Sequence, residues 1–420
     1  MNMDSEQAAR YCCLTILVCL SFSTAGANFA LLGFLICALI SHKVWSEFIN
    51  VLRTPLVQIS LGTFVFLTLS VFWSGADTPT AWHWVDKYKK LLLIPLAAPF
   101  FYQRKHKLLA LKVIFGSLLL GLSVSYLNFF GFTSIGDCPS CGSTMRNYIT
   151  LGVLNCLLFI ISSVFSYVAK TSSHKIFFLS VAIAAALNVA LVLPSRTAQL
   201  LLLALIVCLP AAVWIFDRHA GRKKIYLALL STLAIVSIFF AAIFLNQESR
   251  LGDSFKKISV YKKESFVSND SAVSVDVRFE FYRKTLSLIV ERPLLGWGAG
   301  GQEPELKRLS EQGVTANERF VFANPHNEYL TWAVQTGLLG LACFLCWLFI
   351  LWRQALRIED PGHRLIMIGW LLIFTLGSFL NSFLLDFSEG YMTVLLIAVL
   401  MPFKPNKSST ETVNVPSLSR

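Results

Sequence analysis

The sequence predicts an all-α polytopic membrane protein of about twelve transmembrane helices, with one long, mostly helical loop between late spans. Three observations carry this. Hydrophobic residues make up 55% of the 420 and charged residues only 14%, against about 25% charged in a soluble domain. Mean hydropathy is +0.63, and the 34 Phe and 10 Trp exclude a chain that stays unfolded in water. Finally, the apolar residues are grouped into runs of membrane-spanning size.

Those runs lie at roughly 11–24, 27–41, 56–73, 91–102, 107–129, 147–169, 175–193, 197–216, 225–246, 327–352, 364–385 and 390–403. The first two are split at Thr24-Ala25-Gly26-Ala27-Asn28 and are read as two helices. One helix over 11–41 would be about 46 Å long, against a hydrocarbon thickness of about 30 Å. The fourth run contains Pro95 and Pro99 and is the weakest span. The chain thus divides into residues 1–246 with nine spans, a loop at 247–326, three spans at 327–403, and a Ser/Thr/Asn/Pro-rich tail at 404–420 expected to be disordered.

Lysine and arginine fix the orientation. With both termini cytoplasmic, 18 of the 36 fall in cytoplasmic segments and five in the short outer loops: Lys87, Lys89, Lys90, Arg146 and Arg196. Lys112 lies within a span, and the long outer loop holds twelve more against eleven acidic residues. Short loops set orientation, so this pattern is positive-inside. The net charge of +12 is then mainly a topology signal, and nucleic acid is not needed to explain it. The first run lacks the basic flank and cleavage site of a signal peptide.

The outer loop is the one extramembrane segment large enough to carry a site. A polar stretch, Glu248 to Val275, precedes an amphipathic helix from Asp276 that Pro293 stops. Gly296-Trp-Gly-Ala-Gly-Gly301 follows, then a polar helix around 303–312, then Asn324-Pro-His-Asn-Glu-Tyr-Leu330 leading into the tenth span. The glycines match G-x-G-x-x-G, but a helix precedes them where a dinucleotide fold needs a strand. A turn where backbone approaches another segment or a ligand fits Gly296 and Gly298 better.

Few residues have the character to do chemistry. Arg196, in Leu193-Pro-Ser-Arg-Thr197, sits at a span boundary, where arginine either snorkels to water or serves an anion. Arg283 has Glu280 at i−3 as a surface partner, whereas Arg278 has no acidic residue at i±3 or i±4 and shares its face with Tyr282. That makes Arg278 the better anion binder. His326 stands where the loop meets the tenth span, flanked by Asn324, Asn327 and Glu328; a lone histidine there is structural or an acid–base group. Eight of the ten cysteines lie in apolar runs, while Cys138 and Cys141 flank Pro-Ser in a polar loop and read as a structural disulfide. No HExxH, P-loop or Asp-rich metal motif occurs, so neither metal nor cofactor is expected.

Taken in order, Ser195-Arg196-Thr197, the helix with Arg278 leading to Arg292-Pro-Leu-Leu-Gly-Trp-Gly-Ala-Gly300, Asn324 to Leu330, Gly337-Leu-Leu-Gly340, and a late Asn381-Ser382 with Glu389-Gly390 resemble the O-antigen ligase family of the lipopolysaccharide pathway. The resemblance implies a glycosyltransferase of the bacterial inner membrane with a periplasmic active site. It implies transfer of O-antigen polysaccharide from undecaprenyl diphosphate to a sugar hydroxyl of lipid A–core, by metal-independent inverting displacement. Arg196 and Arg278 would hold the donor diphosphate, His326 would be the essential histidine, and Lys87, Lys89, Lys90 and Arg146 would meet the anionic acceptor. O-antigen polymerases and protein O-oligosaccharyltransferases share these features. A flippase would need midplane charges, and Lys112 is the only clear one.

Overall fold

The computed structural model describes residues 4–136, 138–216, 270–313, 319 and 321–403. The expected ninth span at 225–246, most of the polar stretch from Glu248 and the tail from Lys404 lie outside the described residues.

Helices begin where a capping side chain meets an apolar run. Ser23 accepts from the Gly26 N–H, Asn147 from Ile149 and Thr150, Asn327 from Leu330 and Asp360 from His363. The described helices are α1 (Ser5–Cys19), α2 (Thr24–Ile40), α3 (His42–Leu52), α4 (Pro55–Leu69), α5 (Thr78–Tyr88), α6 (Leu93–Ala97), α7 (Arg104–Phe129), α8 (Tyr148–Val168), α9 (Ser172–Leu187), α10 (Arg196–Phe216), α11 (Asp270–Glu291), α12 (Gln302–Glu311), α13 (Glu328–Ala355), α14 (Pro361–Gly377) and α15 (Phe387–Leu400). No strand occurs among the described residues. Five helical segments are long and apolar enough to cross a membrane: Pro55–Trp73, Arg104–Phe129, Tyr148–Val168, Ser172–Val192 and Glu328–Ala355. The α2–α3 pair, bent by 88°, makes a sixth if counted as one span.

The first two apolar runs are indeed two helices, packed on one another. The fourth run corrects the sequence expectation, because it is not one helix. Residues 89–101 fold as a 3₁₀ turn, the five-residue α6 and a second 3₁₀ turn, since Pro95 and Pro99 each remove a backbone donor. The eleventh run also ends early. Helix α14 stops at Gly377, and residues 378–386 turn back as a polar cap before α15. At the centre lies α15, buried on every side from Ser388 to Leu400 and packed by α6, α8 and α14.

The glycine loop is built into the helix bundle. At Gly337 (φ 67°, ψ −170°) α13 leaves helical geometry, which frees backbone groups that must find partners. The loop supplies them. Trp297 and Gly298 N–H donate to the Val334 and Gln335 carbonyls (2.9 and 2.7 Å), and Leu338 N–H donates to Pro293 O (2.7 Å). Gly75 N–H donates to Trp297 O (3.0 Å) and Ser74 Oγ to Ala299 O (2.8 Å), tying the loop to the end of the α4 span. Gly296 is buried against the same break. At Gly298 (φ +81°) a Cβ would stand 2.3 Å from the Ser74 Cα. The glycines therefore serve backbone-to-backbone packing within the protein. Gly298→Ala combines a left-handed φ with that clash, and a loss of roughly 3 kcal/mol or more is expected. Thermal unfolding of the purified variant in detergent should show a markedly lower midpoint than wild type.

Candidate active site

The candidate site forms where residues 324–327 enter α13, against the 378–386 turn. Glu328, in the first turn of α13, is buried, so its carboxylate must be satisfied inside the protein. It accepts from Tyr88 Oη (2.9 Å), Trp332 Nε1 (3.0 Å) and the backbone N–H groups of Leu384 (3.0 Å) and Leu385 (3.3 Å). Its own N–H donates to Ser378 O (2.8 Å). One carboxylate thus joins α5, α13 and the turn.

Above it, Asn324 Oδ1 accepts from His326 N–H (2.9 Å) and Ser382 Oγ (2.8 Å). Asn327 caps α13 and donates through Nδ2 to Phe379 O (3.1 Å). His326 is held at φ +54°, the one non-glycine residue with positive φ among those described. Such backbone costs about 1–3 kcal/mol and persists only where surroundings enforce it. Its ring lies above the turn, stacked near Phe281 of α11 with centroids 6.2 Å apart. Nδ1 is 3.0 Å from Asn381 Oδ1, and Asn381 Nδ2 donates to Asp386 Oδ2 (2.7 Å).

Helix α11 brings Tyr282 and Arg278. Tyr282 Oη donates to Phe379 O (3.0 Å), the carbonyl that Asn327 also uses. Arg278 is half-buried and close to both Tyr282 and His326; burial raises the Tyr282 pKa, and the Arg278 charge works against that rise. Burial is the largest influence on His326 and pulls its pKa below the ordinary value; the Asn381 hydrogen bond raises it and the Arg278 charge lowers it. Burial and the charges of Glu389 and Glu328 push Asp386 well above the usual carboxylate range, and Lys90 and Lys87 pull it back. Arg283 pairs with Glu280 (2.9 Å), as their spacing implies.

Arg196 opens α10 on another side of the same end of the bundle. A π-helical turn, Asn188–Val192, ends α9 and is pinned by Asn155 Nδ2 to Asn188 Oδ1 (2.8 Å) and Asn188 Nδ2 to Ser125 Oγ (3.0 Å). The chain then passes Pro194 to buried Ser195, packed beside Gly152 of α8, and to half-buried Arg196. Nearby, Thr150 of α8 bonds Glu389 of α15.

The expected acceptor-facing residues separate. Lys90 is 3% exposed and donates to the Asp386 and Leu385 carbonyls (2.7 and 3.3 Å). A buried ammonium spent on backbone cannot meet a macromolecular acceptor, so Lys90 leaves that set and becomes a support of the turn. Lys87 lies 4.5 Å over the Trp84 ring, and exposed Lys89 pairs with Asp86 (2.6 Å). Arg146 donates to the Leu20 and Cys19 carbonyls (2.9 and 3.3 Å) at the end of α1. Cys138 and Cys141 are joined by a disulfide in the loop between α7 and α8. Among the described residues, no three His, Cys, Asp or Glu side chains group closely enough to hold a metal ion.

Residues 181–345 match the sequence model of the family described as O-antigen ligase. That segment is similar to proteins of the O-antigen ligase/polymerase superfamily. It carries Arg196, Arg278, the glycine loop, His326 and the break at Gly337. No curated protein matches the chain. Asn381 and Asp386 lie beyond the matched residues; Asn381-Ser382 is one of the motifs that carry the resemblance, whereas Asp386 is a single polar residue between apolar neighbours and no local pattern marks it.

Glu328→Ala would leave four donors without an acceptor, and a cost of about 3 kcal/mol or more is expected. Glu328→Gln keeps one oxygen and should lose less, and Tyr88→Phe less again. Ranked thermal midpoints of the three variants check this order.

Proposed function

We propose that this chain is an O-antigen ligase of the bacterial inner membrane, with about twelve spans, both termini cytoplasmic and the site on the periplasmic face. The donor is undecaprenyl-diphosphate-linked O-antigen and the acceptor a sugar hydroxyl of lipid A–core. What carries the reading is the grouping of His326, Arg278 and Tyr282 where the outer loop meets the bundle, within a segment that matches the O-antigen ligase family.

The chemistry follows from these groups. The acceptor oxygen attacks the anomeric carbon and the bond to the diphosphate oxygen breaks, with its electron pair leaving on the diphosphate. Arg278 and Arg196 stabilise the charge that grows there. The hydroxyl proton passes to His326. A single displacement inverts the anomeric centre, and neither metal nor cofactor is required. Lys87, Lys89 and Arg146 are assigned to the approach of the anionic acceptor.

Ligation measured with purified protein, lipid-linked donor and lipid A–core tests the roles. General base catalysis is worth roughly 10²–10⁴-fold, so His326→Ala should be nearly inactive while still binding donor. Arginine supplies a cation but no usable base; near wild-type ligation by His326→Arg would overturn the base assignment. Arg→Lys at 278 or 196 keeps charge and loses the bidentate fork, so ligation should fall clearly at matched protein levels.

The pH profile follows from the site. A base must start neutral, so activity is lost as pH falls through the His326 pKa. Burial and the Arg278 charge place that pKa below the ordinary 6.5. The acid limb should therefore lie below pH 6.5. Arg278→Gln removes a lowering charge and should move the limb to higher pH. An unmoved limb would show that the titrating group is not His326.

A further inference from the structure

We propose that Asn381 and Asp386 are positioning residues that fix His326 as the Nδ1–H tautomer, leaving Nε2 unprotonated toward the substrate. The inference rests on the reading of His326 as the base and adds two residues that lie outside the family match.

The argument is one of donors and acceptors. A neutral imidazole has one nitrogen that donates and one that accepts. Asn381 Oδ1 can only accept, so at 3.0 Å it takes the proton of His326 Nδ1. The amide could present its NH₂ group to His326 only by turning over. That would set its oxygen 2.7 Å from Asp386 Oδ2, in place of the hydrogen bond now there. Asp386 therefore decides which way the amide faces, and the amide decides which nitrogen of His326 holds the proton.

Asp386 is itself held on both sides. Its N–H donates to Ser382 O (2.9 Å), and its carbonyl accepts from buried Lys90 (2.7 Å). The charged groups that act on it are Glu389 of α15, Glu328 of α13, Lys87 of α5 and Lys90 of the following turn. Raised by burial and by the two glutamates, an Asp386 that carries a proton on Oδ1 still accepts from Asn381 at Oδ2. His326 cannot swing away freely, because its N–H is bound to Asn324 Oδ1 and its backbone is fixed in the left-handed region. Among the described residues no hydrogen bond reaches Nε2. The nitrogen without a protein partner is thus the one the relay leaves unprotonated.

The tautomer can be read without any turnover. Full-length protein labelled with ¹⁵N-histidine, in detergent above the His326 pKa, gives separate Nδ1 and Nε2 resonances, assigned by their loss in His326→Gln. Wild type should show protonated Nδ1 and unprotonated Nε2. In Asn381→Leu the proton should move wholly or partly to Nε2, with kcat for ligation lower by roughly 10- to 100-fold and donor KM little changed. Asp386→Asn can offer Asn381 either an amide oxygen or an NH₂ group, so it should leave a mixture of tautomers and part of the rate; Asp386→Leu should lose both. If Asn381→Leu does not fold, the Asp386 pair carries the same comparison. A protonated Nε2 in wild type, or a tautomer indifferent to both leucine variants, overturns the proposal. Full ligation by His326→Ala would instead remove the base role and leave the tautomer measurement, and the relay it reports, standing.

Discussion

A buried carboxylate holds this end of the molecule together. Glu328 has no solvent to accept from, so four donors from three segments converge on it. Two are backbone N–H groups of the 378–386 turn, which would otherwise be buried without partners. The same carboxylate sets where α13 begins, and His326 stands two residues earlier. The strained backbone of His326, the Asn324 bonds and the Asn381 contact all depend on the turn staying where Glu328 places it.

A second constraint acts about two and a half helical turns further along α13. Breaking α13 at Gly337 would be costly in a membrane unless the freed backbone groups found partners in protein. The glycine loop provides them, and it also closes against Ser74 and Gly75 at the end of the α4 span. Since that loop follows α11 directly, the break fixes where α11 ends. Arg278 and Tyr282 of α11 thereby gain a defined position beside the 378–386 turn. A spanning helix with a break and a loop seated in it is one device serving both stability and site geometry.

The two parts make a division between rigid and reactive groups. Tyr282 and Asn327 spend their polar atoms on one carbonyl, that of Phe379, and lock α11 to the bundle. Buried Lys90 and half-buried Asp386 lie beneath, each offsetting the other's charge. Arg278 makes no hydrogen bond or ion pair with the described residues, and Nε2 of His326 is likewise unengaged. One cation and one ring nitrogen thus stand beside a turn whose amides and carboxylates are largely engaged with one another.

The sequence by itself determined where most of the described helices begin and which polar residues stand at their edges. Capping residues, apolar run length and arginine character are local properties, so α7, α8, α10 and α13 begin within a few residues of their expected starts. The spacing of Arg283 from Glu280 likewise implied their pairing and singled out Arg278. The tertiary structure decided what depends on distant segments meeting. Pro95 and Pro99 broke a run that hydropathy alone reads as a span. Lys90, basic and apparently superficial, was drawn inside because the 385–386 carbonyls, almost 300 residues away, needed a donor. Asn381 stands 55 residues from His326, and Tyr88 stands 240 from Glu328. No periodicity links such pairs; packing does, because buried polar atoms must find each other once water is gone.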